Sequence, residues 1–387
     1  MFNAIDYYHI SDLLSEDELM IQKEVRSFVD ERFMPLIREQ HRKALFPMDL
    51  IRELGQMGLL GVTVPEEFGG AGLSHTIYGI AMQELERGDS GLRSFASVQG
   101  SLVMFPIKSY GSLEQKKKWL PQLAGGEKIG CFGLTEADFG SNPQGMRTKA
   151  KKNGREWILN GSKMWITNGS IADVAVVWAM TDEGINGFLV EKDRAGFSSK
   201  AVQGKLSLRA SDTAELSFQD CVIPDENRLP GVSGLKGPLS CLNEARYGIS
   251  WGVVGAAMAC FDEALSYAKE RIQFDKPIAA FQLTQEKLVE MATEITKAQL
   301  LNYRLGRLKD SGKAKVHHVS MAKRNNVSQA LKIARTARTI LGANGISDEY
   351  QSMRHAMNLE SVLTYEGTHE IHTLILGQYI TGESAFK

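Results

Sequence analysis

Residues 153–190 read NGREWILNGSKMWITNGSIADVAVVWAMTDEGINGFLV. Short runs rich in β-branched and aromatic residues, Glu156 to Leu159, Met164 to Thr167, Val174 to Trp178 and Gly187 to Val190, alternate here with the dipeptides Asn153-Gly154, Asn160-Gly161 and Asn168-Gly169. Asn and Gly accept the positive φ that tight hairpin turns demand, so this spacing predicts a small antiparallel β domain. It opens near Gly125 and closes between Pro224 and Gly231.

On both sides the apolar period changes from that of a strand to that of a helix. Ser15 and Glu18 form a capping-box pattern, and Ile21, Val25, Phe28 and Val29 follow at helical spacing. Pro47 opens a second helix carrying Leu50, Ile51 and Leu54, and another runs from Ile77 to Arg87 with Ile80, Ala81 and Leu85 inward. Ser112 with Gln115 caps a short basic helix at Lys116 to Trp119, whose lysines read as a solvated face. Beyond Pro238 long helical patterns cover about 248–271, 281–310, 314–341 and 368–380, which suggests a bundle. The fold expected is α+β and multidomain: an N-terminal helical domain over 1–123, a middle antiparallel β domain over 124–232 and a C-terminal four-helix domain over 233–387. Helices, then strands, then helices argue against a doubly wound sheet, which needs the two to alternate.

The bulk numbers exclude several classes. Lys and Arg total 45 against 46 acidic residues, so the chain as a whole has no charge reason to seek nucleic acid or anionic lipid. A polyanionic ligand must be met by local groups. Cys131, Cys221, Cys241 and Cys260 form no CxxC pair and read as reduced, packed thiols. The acidic start MFNAIDYYHISDLLSEDEL resembles neither a secretory signal nor an Arg-rich transit peptide, so the expected place is the cytoplasm, or the mitochondrial matrix for a processed chain. No run approaches the ~20 apolar residues that span a bilayer.

Three segments place polar and aromatic residues where a plain scaffold has no use for them. CFGLTEADFGS at 131–141 ends a strand in a bend at Gly140-Ser141 that can present N–H groups to a phosphate. KMWITN at 163–168 alternates a large aromatic with a hydroxyl, and TYEGTHEI at 364–371 sets Glu366 just before a helix. Each has a structural alternative: a turn, a core tryptophan, a helix cap. HEIH at 369–372 and His317-His318 prompt a metal-hydrolase reading, but the HExxH spacing is absent. Gly69-Gly70-Ala71-Gly72 lacks the flanking strand and helix of a dinucleotide fingerprint and reads as a turn.

Taken together, in this order and with VPEEFGGAGLS at 64–74 and RIQFDKPIAAFQ at 271–282, the segments resemble the acyl-CoA dehydrogenase family over nearly the whole chain. Within it, ELERGDSGLRSFASVQGSLVM at 84–104, LNEARYGISWG at 242–252, NGISDEY at 344–350, RHAMNLESV at 354–362 and ITGESAF at 380–386 are most similar to its glutaryl-CoA-oxidising members. The resemblance implies FAD as cofactor, an electron-transfer flavoprotein as acceptor and a homotetramer in which a neighbouring subunit touches each flavin. It implies Glu366 as the base, since Ala245-Arg246 occupies the place where other members carry it.

For the flavin the resemblance points to Phe132, Leu134, Thr135, Gly140 and Ser141, to Trp165, Ile166 and Thr167 around the ring, and to Arg271, Phe274, Gln282, Gly342, Gly345, Thr368 and Phe386 at the ADP half and the rest of the cofactor. For the substrate it points to Glu86, Arg93, Ser94, Tyr365 and Gly367, to Ser141 on the CoA arm and to Leu239, Leu242, Asn243 and Arg246 along the acyl and CoA path. An arginine ending an acyl pocket needs a carboxylate, so a dicarboxylic thioester is the expected substrate, with Glu86 compensating Arg93 in its absence. The alternative is a surface Arg93 paired with Asp89. Glutaryl-CoA is then expected to yield crotonyl-CoA and carbon dioxide. The alternatives are an enzyme that stops before decarboxylation, a short-chain dehydrogenase, an oxidase and a non-catalytic adaptor. Asn142, Asp275 and Ala343 depart from the family pattern, where aspartate, glycine and glycine are usual.

Overall fold

The computed structural model describes Phe2, residues 5–232 and residues 234–386. Helices α1 (Glu16–Phe28), α2 (Met34–Lys43), α3 (Ile51–Gln56), α4 (His75–Gly88), α5 (Ser90–Ser97), α6 (Phe105–Tyr110) and α7 (Leu113–Ala124) form the N-terminal part. Both capping boxes close, Ser15 with Glu18 and Ser112 with Gln115. Helix α2 and the stretch from α5 to α6, which the sequence analysis did not predict, each run through a proline. Wide π turns at Val29–Phe33 and Val98–Met104 precede Pro35 and Pro106. A π turn relieves the clash between a proline ring and the carbonyl one turn earlier, so the helix continues.

Strands β1 (Gly130–Gly133), β2 (Lys149–Asn153), β3 (Glu156–Thr167), β4 (Val174–Thr181), β5 (Gly184–Glu191), β6 (Phe197–Ala201) and β7 (Thr213–Pro224) build one sheet in the order β1-β4-β2-β3-β7-β6, with β5 also on β4. It is mostly antiparallel, but β4 pairs in parallel with β1 and β2. The dipeptide Asn153-Gly154 makes the expected hairpin turn. Asn160-Gly161 does not: it is a bulge inside the single long strand β3, with Gly161 at φ 141°.

Helices α8 (Lys236–Glu270), α9 (Gln282–Asp310), α10 (Val316–Ile340) and α12 (His369–Thr381) answer the four long patterns, and α11 (Ser352–Thr364) is added between the last two. A short hairpin, β8 (Ile272–Gln273) with β9 (Lys276–Pro277), joins α8 to α9. One apolar core runs from the N-terminal helices through Phe132, Val176 and Trp178 to Tyr247 and Trp251 of α8, so the three parts share an interior. Helices α4 and α8 cross closely at Gly252 and Gly255, where an added Cβ would stand 2.1 Å from Glu86 Oε2 and 1.8 Å from the Gln83 carbonyl oxygen. That crossing brings Glu86 against α8. All four cysteines are free and buried. No described helix is long and apolar enough to cross a membrane.

Candidate active site

The site is built where α11 ends. Arg354 and Asn358 of α11 both reach Asp89, at 3.0 and 2.9 Å, and Asp89 also caps α5 through the Gly91 N–H at 2.7 Å. This lock, buried on both sides, fixes α11 against the α4–α5 corner. It also removes the alternative in which Asp89 pairs with a surface Arg93. Arg93 is only 2 % exposed, and its Nε donates to Glu86 Oε2 at 2.6 Å. Its Nη2 donates to the Tyr365 hydroxyl, which also lies 3.2 Å from Ser94 Oγ. Burial pushes the Tyr365 phenol up, with the Arg93 charge opposing. The Glu86 and Tyr365 bonds leave the guanidinium's remaining N–H groups for a further acceptor.

Glu366 follows directly, with φ 56°, in the left-handed region that any residue with a Cβ disfavours. It is no helix cap. Thr368 takes that role, its Oγ1 accepting the Ile371 N–H at 3.2 Å, whereas Glu366 Oε2 is buried without a hydrogen-bond partner among the described residues. Burial raises its pKa above the usual carboxylate range, and the positive charges of Arg246, Lys323 and Arg93 oppose that rise. The chain around it is held by cations: Arg246 Nε donates to the Glu366 carbonyl at 2.7 Å, and Lys323 Nζ to those of Tyr365 and Gly367 at 2.7 and 2.6 Å. Gly367 takes φ 90°, which strains any residue with a side chain, and an added Cβ would be tight, 3.0 Å from Arg246 Nη2 and 3.1 Å from His372 Nε2. A carboxylate with a buried oxygen left open, its basicity raised by burial and its charged form supported by nearby cations, is suited to taking a proton from a weak carbon acid.

The predicted acyl path lies beside it on the first turns of α8. Leu239 is partly exposed, Leu242 and Asn243 are half-buried, and Arg246 is buried. Asn243 Oδ1, Glu86 Oε1 and Glu366 Oε2 are all buried without a partner among the described residues, so unsatisfied oxygens occur among the residues predicted to meet substrate.

On the sheet, Phe132 and Leu134 are buried and Thr135 is half-buried at the end of β1. The Thr135 carbonyl accepts the Met164 N–H at 2.8 Å, and a bulge follows in β3. Bulges re-aim side chains. Here Trp165, at φ 63°, is thrown outward to 58 % exposure between buried Lys163 and Ile166, with Thr167 next along the strand. Gly140 and Ser141 sit exposed in the expected bend. The loop carrying them is tied at its base by Glu136, which accepts from Arg147 N, Thr148 N and Lys163 Nζ at 2.7, 3.0 and 2.8 Å.

The remaining predicted residues stand elsewhere. Arg271 and Phe274 lie exposed at the β8–β9 hairpin, and Gln282 is exposed at the start of α9. Gly342 and Gly345 fall in the turn after α10, and Phe386 lies beyond α12. Asp275, at φ 62°, takes the left-handed shape without glycine, and Ala343 does not need it. Lys323, the Glu136–Lys163 pair and the Asp89 lock were missing from the sequence reading. A lone lysine on a helix gives no signal of burial.

Residues 15–127, 131–221 and 233–381 match the N-terminal, middle and C-terminal domains of acyl-CoA dehydrogenase. The crystal structure of glutaryl-CoA dehydrogenase from Mycobacterium smegmatis is 55 % identical with TM-score 0.96, covering 98 % of this chain and 98 % of that one. A second, of a Mycobacterium smegmatis glutaryl-CoA dehydrogenase in complex with FADH2, is 51 % identical with TM-score 0.98, covering 100 % of both chains. Human mitochondrial short-chain specific acyl-CoA dehydrogenase is 37 % identical over 374 residues, 95 % of this chain and 90 % of that protein. With every segment of the fold matched in order, the chain belongs to the acyl-CoA dehydrogenase family.

Proposed function

We propose that this enzyme oxidises glutaryl-CoA at the α,β bond and decarboxylates the product to crotonyl-CoA and carbon dioxide. The observation that carries the reading is Arg93: a buried guanidinium joined to Tyr365, the residue next to the base. A short alkyl chain gives such a group nothing, whereas a distal carboxylate accepts from its remaining N–H donors. This favours glutaryl-CoA over the short-chain substrate named for the human relative.

FAD fits the residues present. Trp165 offers an exposed indole face beside Ile166 and Thr167, the Thr135 carbonyl just past β1 accepts the N–H of the neighbouring Met164 at 2.8 Å, and nothing stands within 4 Å of where a Gly140 Cβ would be. When bound, FAD supplies a two-electron acceptor for the hydride leaving the β carbon. Ser141 and Thr368 would meet phosphates, and Arg271, Phe274, Gln282, Gly342, Gly345 and Phe386 the ADP half and the rest of the cofactor, across a subunit boundary of a homotetramer. An electron-transfer flavoprotein would be the acceptor.

Glu366 removes the α proton as the β hydride departs, giving the α,β-unsaturated thioester with Glu366 now neutral. The γ carboxylate then leaves as carbon dioxide, its electron pair delocalising as a dienolate into the thioester. Neutral Glu366 returns its proton to the far carbon. Arg93 must release the carboxylate at that step, and Glu86, already 2.6 Å from Nε, is placed to retain the guanidinium. Mass spectrometry after anaerobic turnover with a dye acceptor tests this: crotonyl-CoA is expected, and glutaconyl-CoA accumulating alone would refute the decarboxylation step.

A further inference from the structure

We infer that Lys323, on α10, is a positioning residue for proton transfer: one amine holds the carbonyls on both sides of Glu366 and so fixes the strained backbone that aims the base. The inference rests on Glu366 being the base. Lys323 is 1 % exposed, and among the described residues it makes no ion pair. A buried amine costs stability unless something demands it. Its hydrogen bonds go to the Tyr365 and Gly367 carbonyls, at 2.7 and 2.6 Å, and Arg246 takes the carbonyl between them at 2.7 Å. Three consecutive peptide carbonyls are thus pinned from α8 and α10 together, across the residue that sits at φ 56°. Local strain of this kind persists only where its surroundings over-determine it.

The pinning also sets direction. A trans peptide points its N–H opposite to its C=O, and no cis bond occurs among the described residues. Lys323 therefore orients the N–H groups of Glu366 and Thr368, and Arg246 that of Gly367. Facing Lys323 are Arg246 from α8, Arg93 from α5, Tyr365 and Glu366 from the loop, and His369 and His372 from α12. Burial first, then the Arg246 charge, push Lys323 down to about 7, with Glu366 opposing. A neutral amine still has two N–H donors, which match the two carbonyls.

The test compares Lys323→Met, Lys323→Gln and Glu366→Gln as FAD-loaded enzymes, reading kcat, KM, flavin content and the isotope effect with α-deuterated glutaryl-CoA. Misplacing a catalytic group by about 1 Å costs roughly 100-fold. Lys323→Met should therefore lose about that factor in kcat with KM and flavin content kept, and its isotope effect should rise as proton removal becomes slower. Lys323→Gln keeps two donors on a shorter stem and should fall between Met and wild type. If the Met variant does not fold, the Gln variant decides on the same readings. Wild-type kcat and isotope effect in a folded Lys323 variant, or a loss explained wholly by missing flavin, overturns the inference. Glu366→Gln separates the two claims: wild-type turnover there removes the base itself, whereas a dead Glu366→Gln beside normal Lys323 variants removes only the positioning role.

Discussion

The two ends of the site are built in opposite ways. Around Glu366 most polar groups are withdrawn from water and several are joined to one another: Glu86 to Arg93, Arg93 to Tyr365, Lys323 and Arg246 to the loop carbonyls. Around the β8–β9 hairpin they face water, and Phe274 is 87 % exposed. The first arrangement is preorganised, so binding costs little reordering there. The second leaves apolar surface uncovered, as sites completed by another molecule do. The difference teaches that the polar groups proposed to meet the acyl chain are preorganised by contacts within the chain, whereas the hairpin proposed to meet the adenine half of FAD presents an open apolar surface.

The comparison can be broken most sharply at Glu366. Glu366→Gln is nearly isosteric but accepts no proton, so kcat should fall by about 1000-fold or more while substrate still perturbs the flavin spectrum. Next in size is Gly252→Ala, whose new Cβ would stand 2.1 Å from Glu86 Oε2 and 3.2 Å from Arg93 Cγ. It should displace the Glu86–Arg93 pair, costing about 1–3 kcal/mol of stability by denaturant titration and lowering kcat/KM for glutaryl-CoA. A milder probe is pH. Glu366 must be ionised to act, and burial raises its pKa, so kcat/KM should decline on acidification at a pH above the ordinary carboxylate range. The smallest change in stability should come from the hairpin. Phe274→Ala should leave the apoprotein's melting unchanged within about 0.5 kcal/mol, yet reduce FAD retention on dilution. A large loss of apoprotein stability there would mean that the hairpin is part of the fold rather than of a binding surface.

Much of the scaffold was legible because local signals and tertiary packing agree at Ser15 and Glu18, at Ser112 and Gln115, and along Ile77 to Arg87. Where they disagree the sequence misleads. Pro35 and Pro106 carry the ordinary signature of a helix break, yet a π turn before each accommodates it, and Pro238 hides the first turns of α8, where a missing N–H costs nothing. Helix α11 is absent from the sequence analysis, and its Arg354 and Asn358 are residue types that usually face solvent. Only Asp89, far away in sequence, makes their burial possible. Glu366, Arg93 and Trp165 stood out through family motifs, whereas Lys323 has no motif of its own. Its importance lies in a long-range contact with carbonyls, which any sequence can supply.

The central claim is that Arg93 reads a second carboxylate beside the base. It is tested most directly by kcat/KM for glutaryl-CoA and butyryl-CoA, measured on wild type and on Arg93→Ala. Wild type should prefer glutaryl-CoA, and the substitution should remove about 2–5 kcal/mol of that preference while leaving butyryl-CoA nearly unaffected. Equal losses on both thioesters, or a wild-type preference for butyryl-CoA, would contradict it.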